Sequence, residues 1–483
     1  FHEWGKNRSI TDGLPDLHIP LPSERVNKNF TVKPESDASR LAAAYTQYIN
    51  ELCVSVIGEF ADAFKSESEN RMLCGALYGY LIEFSTANSP TEAGSLTLKQ
   101  YLAEESIDFM CGIPLLDWRD PTNGYDIGIG LTRSIQAAGK MYIQENDTWL
   151  STYTKRVYPS SRPGDSMDGN LDMLESTFAY DMVYGNGRHY FSLFASWHHD
   201  SRLKELFTEF NAAQEKYLNA DRTPAEQIAF LIDDTSYAFS EESSQYLNIA
   251  VKETLKSLGR TGGAVGLYLL SDIDRLPDTV KLVVVSVAWA PDAETLGKLK
   301  TAVEKGGRTI VLVGPVGLIN PETGKYDTAS TKKLTGFDVS VEFGAKLTSL
   351  RLTDIGGTKI SSSAYVDVNP VCRLNGSSNL SAVKDLANGG RLIWMSVPLT
   401  VSRVWRDIGK DAGVTFTANI NSYVHASKEL VSVTASANGT QKLYFGRSVT
   451  VVDVLSGWEG SGDEYVECVF YAGQTRLFYV KDK

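Results

Sequence analysis

From about residue 40 to 223 the chain alternates two kinds of hydrophobic pattern. Long stretches repeat apolar residues every three or four positions, as in "ASRLAAAYTQYINELCVSVIGEFADAFKSES", and predict amphipathic helices, because a period of 3.6 gathers those residues on one face. Short apolar runs lie between them: "RMLCGALYGYLIEF", "IDFMCGIPLL", "KMYIQEN" and "RHYFSLFASW" predict strands near 73–82, 107–113, 140–145 and 189–196. Strands separated by helices read as parallel βα units. Four units are half of an eight-stranded barrel and cannot close one.

The pattern changes after "NADRTPAEQ", where Pro224 marks a break. "QIAFLIDD", "VGLYLL", "KLVVVSVAWA", "RTIVLVG" and "RLIWMSV" are β-branched apolar runs, with helical stretches such as "SSQYLNIAVKETLKSLGR" and "DAETLGKLKTAVEKGG" between them. Runs of this kind suit strands covered on both faces, so a doubly wound, flavodoxin-like region is predicted. From about 419 the helical period stops. "KELVSVTASANGTQKLYF", "SVTVVDVLSG", "EYVECVFYAG" and "TRLFYVKD" alternate by two and are broken by Asn-Gly, Ser-Gly and Ala-Gly, which predicts a small antiparallel sandwich. The expected fold class is therefore α/β in three parts: a partial (β/α)8 barrel over 1–223, a flavodoxin-like domain over 224–418 and a β-sandwich over 419–483.

Composition narrows the partners. With 483 residues, 42% of them hydrophobic and 22% charged, the chain can bury more than one core as a soluble globular protein. A net charge of -12 without a basic run argues against nucleic acid or an anionic membrane as the main partner. The longest apolar run, "VKLVVVSVAWA", falls short of the ~18 residues a membrane span needs. Cys53, Cys74, Cys111, Cys372 and Cys468 show no CxxC or Cys/His spacing, so free thiols are expected in place of a zinc site or disulfide framework. "GRTGGAVG" precedes a strand instead of leading from one into a helix; it lacks the setting of a dinucleotide fingerprint, and no cofactor is implied. The adjacent His198 and His199 point to opposite sides of a strand and do not make a metal pair. Asn-X-Ser/Thr acceptors begin at Asn7, Asn29, Asn146, Asn375, Asn379 and Asn438, a pattern that fits a secreted, extracellular glycoprotein. The opening Phe1, with no initiator Met or signal peptide, is expected of a processed, truncated or partly observed product.

One strand end carries candidate chemistry. In "KMYIQENDT" the apolar pattern stops at Glu145, Asn146 and Asp147. Many strands finish in solvated acids, while the catalytic side chains of parallel αβ barrels also stand at carboxyl ends of strands. The same logic of strand ends selects Glu83 after "LYGYLI", which either bonds a sugar hydroxyl or fills a helix N-terminal or solvent role. It also selects Asp117, Trp118 and Arg119 after "CGIPLL", a carboxylate, an apolar platform and a fixed cation. Trp197, at the end of "HYFSLFASW", either floors a sugar subsite or packs in the core.

The order of the three parts, together with "ALYGYLIE", "IDFMCGIPLLDWR", "SIQAAGKMYIQENDT", "IAFLIDDTSYAF", "LGRTGGAVGLYLLSDIDRLP", "LIWMSVPLTVSRVWRDIGKDAGV" and "TRLFYV", resembles the β-galactosidase-like enzymes around glycoside hydrolase family 42, whose middle domain is a trimerisation domain. These phrases run through nearly the whole chain. The resemblance implies a retaining glycosidase acting on β-galactoside-like linkages of a carbohydrate substrate or glycan, and a homo-oligomer. It also implies that "GKMYIQEN" is the seventh barrel strand and Glu145 the nucleophile, which needs a protonated carboxyl ~5 Å away. In the family that acid/base closes the fourth strand, and the strands here begin at the fifth. Glu3 in "FHEWG" imitates it, but "HIPLPSER" follows only some fifteen residues later, a spacing that relatives show well after the catalytic glutamate. The missing N-terminal half, or another protein chain, is then expected against the half-barrel. The chain departs from the family in "NDTWLS", where relatives favour Asp-Thr-Arg-Thr, and in "ASWHHD", where they favour Gly-Gly-Trp-Tyr. A glycan on Asn146 would block the site. A non-catalytic descendant, serving as a structural or carbohydrate-binding component of an extracellular assembly, is the alternative.

Overall fold

The computed structural model describes residues 1–26, 32–85, 94–115, 118, 120–146, 167–191, 200–241, 246–343, 350–355, 358–362, 371–377 and 380–483. Its first sheet contains four parallel strands in chain order, β1 (Gly75–Leu77), β2 (Phe109–Gly112), β3 (Met141–Asn146) and β4 (Gly187–Tyr190). They overlap the four predicted strands, β1, β2 and β4 with shorter bounds and β3 shifted by one residue. β1 stops early because Gly79 takes φ +71, a left-handed conformation that ends a strand at little cost only for glycine. β4 starts two residues before the predicted position.

The predicted long helix is Asp37–Glu67, capped by Ser36, whose hydroxyl accepts from the Ser39 backbone N–H at 3.1 Å. Its small residues Ala42, Ala43, Ala44, Gly58 and Ala61 are buried. A second apolar stripe, Leu52, Val56, Phe60 and Phe64, is exposed, Phe60 by 74%. Four-residue spacing puts these side chains on one face. Met72, Leu73 and Leu77, at and before the β1 edge, are exposed as well.

The second sheet has strands β5 (Ile228–Ile232), β6 (Val265–Leu269), β7 (Leu282–Ser286), β8 (Thr309–Val313), β13 (Ser381–Asp385) and β14 (Arg391–Met395), in the order β13-β14-β8-β7-β5-β6. All pairs are parallel except β13 with β14. Counting its parallel strands alone gives 2-1-3-4-5, the flavodoxin order. Every residue of β5, β6, β7 and β8 is buried, as continuous apolar runs require when both faces are covered. Between β8 and β14 two antiparallel ribbons intervene, β9 (Val339–Glu342) with β12 (Val371–Leu374) and β10 (Leu350–Ile355) with β11 (Thr358–Ser362). The sequence pattern did not announce them.

The last sheets are antiparallel. β15 (Tyr423–Ala426), β16 (Leu430–Thr434), β21 (Thr475–Asp482), β18 (Val449–Asp453) and β19 (Glu459–Gly462) form one in that order, and β17 (Gly439–Tyr444) with β20 (Tyr465–Phe470) forms the other. Val431, Val433, Leu443, Val451, Val466 and Phe478 share the core between them. The final strand of the chain thus lies in the middle of its sheet.

Buried polar contacts tie the helix between β2 and β3 to the segment leading into β5 and to β15. Arg133, on the helix Thr132–Ala137, donates from Nε and Nη2 to the two carboxylate oxygens of Glu226, each at 2.9 Å, and from Nη2 to the Ala426 carbonyl at 3.2 Å. The two side chains are 2% and 0% exposed. The Tyr268 hydroxyl also donates to Glu226, at 2.7 Å, and Tyr184 lies under the guanidinium.

Beside this pair His425 is enclosed by Tyr125, Tyr180, Tyr184 and Tyr423, its Nε2 2.9 Å from the Asp126 carbonyl oxygen. Burial lowers its pKa to about 3, and the Arg133 charge adds to this. Between that value and the ordinary ~6.5, the unfolded chain holds a proton that the folded chain refuses. Stability therefore falls as pH drops through this window. His425→Phe should remove that share of the slope, so thermal midpoints measured from pH 7 to 4.5 should fall less steeply in the variant. Parallel profiles would refute the assignment.

All five cysteines are free, Cys111, Cys372 and Cys468 buried and Cys53 and Cys74 partly so. Among the described residues no helix is long and apolar enough to cross a membrane.

Candidate active site

Side chains alternate along a strand, so Met141, Ile143 and Glu145 share one face of β3, and Tyr142, Gln144 and Asn146 share the other. The second set is fully buried. Gly128 and Gly130 make this possible, since a Cβ at either would stand 2.8 or 2.7 Å from the Tyr142 ring. The apolar pair Met141 and Ile143 faces the less covered side, with Met141 exposed. The aromatic and amide positions are the ones packed against the interior.

Glu145 therefore stands at the carboxyl end of β3, on its open face. Its carboxyl is 14% exposed and Oε2 lies 3.8 Å from Nε2 of His189, which is 47% exposed. The two residues are register partners across β3 and β4. The charge of Glu145 also reaches the neighbouring strands. Burial, reinforced by Glu145, pushes the Cys111 thiol up to about 11. Tyr80, which follows β1, rises to about 12 through burial, then Glu145, with Glu83 contributing less. A partly buried carboxylate beside an imidazole can attack an electrophilic carbon as a nucleophile or stabilise a developing positive charge.

Glu83 opens the 3-10 turn Glu83–Ser85, and its Oε2 is 3.8 Å from Nζ of the buried Lys252. Lys252 comes from the π-helical turn Asn248–Glu253 of the second region, and this pairing suits Glu83 as a hydrogen-bond acceptor. Trp118 is 3% exposed and packs with Tyr125 in the core. The expected open platform at this position is corrected to core packing, because Gly124 folds the chain so tightly that a Cβ there would meet the Trp118 carbonyl. Asp117, Arg119, Trp197, His198 and His199 lie outside the described residues. Glu3 sits on the single turn His2–Gly5, largely exposed and paired with Lys6 at 2.7 Å. Reading the sequence missed His189, Tyr80, Cys111 and Lys252. Only His189 carries a local signal, a polar residue in a strand run.

Asn146 is fully buried, whereas Asn7, Asn375 and Asn438 are exposed. A glycan at Asn146 is incompatible with this packing. Folded protein from a secretory host should be unoccupied there in glycopeptide mapping; occupancy at Asn146 in folded material would contradict the placement of β3.

No protein-family model matches this sequence, and no curated protein is similar to it at a significant level. Solved structures do match its fold. The chain is similar to Gan42B, a GH42 β-galactosidase from G. stearothermophilus, with a TM-score of 0.63 and 12% identity over 93% of this chain and 69% of that one. A β-galactosidase from Bacillus circulans sp. alkalophilus gives a TM-score of 0.52 and 12% identity over 79% of this chain and 65% of that one. A β-galactosidase from the Antarctic haloarchaeon Halorubrum lacusprofundi gives 0.50 and 10%, over 95% and 71%.

Proposed function

The chain has a GH42-like β-galactosidase fold, and on that premise we propose that it is the C-terminal portion of a retaining glycoside hydrolase acting on β-galactoside-like linkages, with Glu145 as nucleophile. The observation that carries this reading is the position of Glu145, partly buried at the carboxyl end of a parallel strand, where barrel enzymes keep their catalytic groups. In this mechanism Glu145 attacks the anomeric carbon to form a glycosyl-enzyme ester. A second carboxyl protonates the leaving oxygen and then takes a proton from the water that hydrolyses the ester. His189, 3.8 Å from the Glu145 carboxylate, would help fix its orientation. Glu83, held by Lys252, would accept hydrogen bonds from sugar hydroxyls.

The acid/base belongs to polypeptide that completes the barrel against β1. Three features support a further neighbour: the edge of β1, which has no strand partner among the described residues, the exposed stripe Leu52-Val56-Phe60-Phe64, and the exposed Leu73 and Leu77 beside it. An exposed strand edge and exposed large apolar side chains are features that another segment commonly covers. The divisions at 223/224 and 418/419 belong to this proposal, and one hydrophobic cluster runs across them from Ile10 to Leu477. Secretion and self-association belong to the same proposal.

Purified residues 1–483 should therefore fail to hydrolyse an activated aryl β-galactoside, since general-acid assistance alone is typically worth ~10²–10⁴ in rate. Turnover should return when the chain is joined to four preceding βα units that bring a glutamate to within ~5 Å of Glu145. Hydrolysis by residues 1–483 alone would place the acid/base inside this chain. An inactive joined protein that binds the sugar would favour the non-catalytic descendant.

A further inference from the structure

The second sheet holds a cavity that the proposed hydrolase chemistry does not use. In the order β13-β14-β8-β7-β5-β6 the connections leave β5 and β7 in opposite directions, and at such a switch point a crevice opens outside the carboxyl ends of the strands. β5 runs into Asp233 and Asp234 and β7 into Val287. Val287 takes φ +53, a strained conformation for a β-branched residue, and its carbonyl accepts from the Asp233 N–H at 3.2 Å.

Asp233 is used internally, accepting from the Ser236 N–H at 2.8 Å. Asp234 instead lines a cavity of about 460 Å³ together with Asn7, Gln47, Asn50, Asp292 and Glu322. This volume falls within the ~300–1,000 Å³ of small-molecule sites. Asp234 is nine-tenths buried and accepts from the Lys99 backbone N–H at 2.8 Å. Burial raises both aspartates above the ordinary carboxylate range.

The lining defines the ligand class. Of the lining carboxylates Glu51, Asp234, Asp292 and Glu322, Glu51 is paired with Arg8 at 2.6 Å and Asp292 with Lys99 at 2.9 Å, so both nearby cations are already matched by carboxylates. With these cations engaged, a phosphate or nucleotide would be disfavoured beside the remaining carboxylates. Carboxylates accept from hydroxyls, the amides of Asn7 and Gln47 offer both donors and acceptors, and Ile10, Leu96, Ala238 and Pro321 supply apolar wall. We propose that this cavity is a ligand site separate from Glu145, taking a neutral polyhydroxy molecule of monosaccharide size. The proposal does not depend on the hydrolase reading.

The test is calorimetry and saturation-transfer NMR on residues 1–483 with galactose, glucose, glycerol, inorganic phosphate and AMP. Saturable binding of a neutral polyol is expected. It should weaken by at least about tenfold in Gln47→Trp, which fills the cavity, and in Asp234→Asn, which keeps the shape, and should persist in Glu145→Gln. Two substitutions of different size guard against a variant that fails to fold. The proposal is overturned if no polyol binds, if both cavity variants bind as the parent does, if Glu145→Gln alone abolishes binding, or if phosphate or AMP binds in preference.

Discussion

Glu145→Gln in the barrel-completed protein should lower kcat on an activated aryl β-galactoside by at least ~10³-fold, the scale seen when a covalent nucleophile is removed. The amide has the shape of the carboxylate but neither its charge nor its nucleophilic oxygen, so no glycosyl-enzyme ester forms. Folding should be nearly unaffected. Among the described residues Glu145 makes one loose polar contact, 3.8 Å from an imidazole that is half exposed, and contacts of that kind contribute little to stability. Substrate should still bind, so the loss should fall on kcat more than on KM. Glu145→Ala adds a further check. It leaves room for azide, which should restore cleavage and give a glycosyl azide of inverted configuration. Unchanged turnover in Glu145→Gln would remove Glu145 from the mechanism.

Arg133→Met should destabilise the protein by about 3–5 kcal/mol, the usual effect of stranding one member of a buried ion pair. Glu226 is completely enclosed, and without the guanidinium only Tyr268 would remain among its side-chain donors. The cost comes mainly from an uncompensated buried charge. Arg133→Met combined with Glu226→Leu should therefore recover most of the loss, although the double variant has no ion pair at all. Urea unfolding monitored by fluorescence gives the comparison through the shift in midpoint at constant m. A single variant as stable as the parent, or a double variant less stable than the single one, would contradict this account. Because Arg133 also reaches the Ala426 carbonyl, the single variant should loosen the final sheet together with the second.

How far the sequence was legible depended on the distance over which each feature is determined. β2 and β3 were readable because their patterns are local, and so was the all-buried character of β5 and β7. The bounds of β1 depended on Gly79, whose positive φ becomes visible only in three dimensions. Glu145 was readable as a strand end, but its partner His189 depends on β3–β4 register, which pairing across the sheet decides. Arg133 and Glu226 lie in stretches that look like solvated helix and linker; nothing local indicates that residues 93 apart in sequence meet in the interior. Trp118 failed as a platform for a related reason, since an aromatic after a strand suits a sugar face and a core equally well. The ribbons β9–β12 escaped notice because short strands of mixed polarity resemble loops.

The position of β21 governs the order in which the molecule can be made. β16 and β18 emerge from the ribosome well before it, yet each pairs along one edge with a strand made close to it in time, β15 or β19, and along the other with β21, which lies between them. Until residues 475–482 are free to move, two strands expose unpaired edges and the valines of their shared core remain uncovered. Earlier βα units can begin folding as they appear, but the last sheet has to close after synthesis has passed residue 482. The newly made protein therefore passes through a window in which its final sheet is most open to mispairing with another nascent chain.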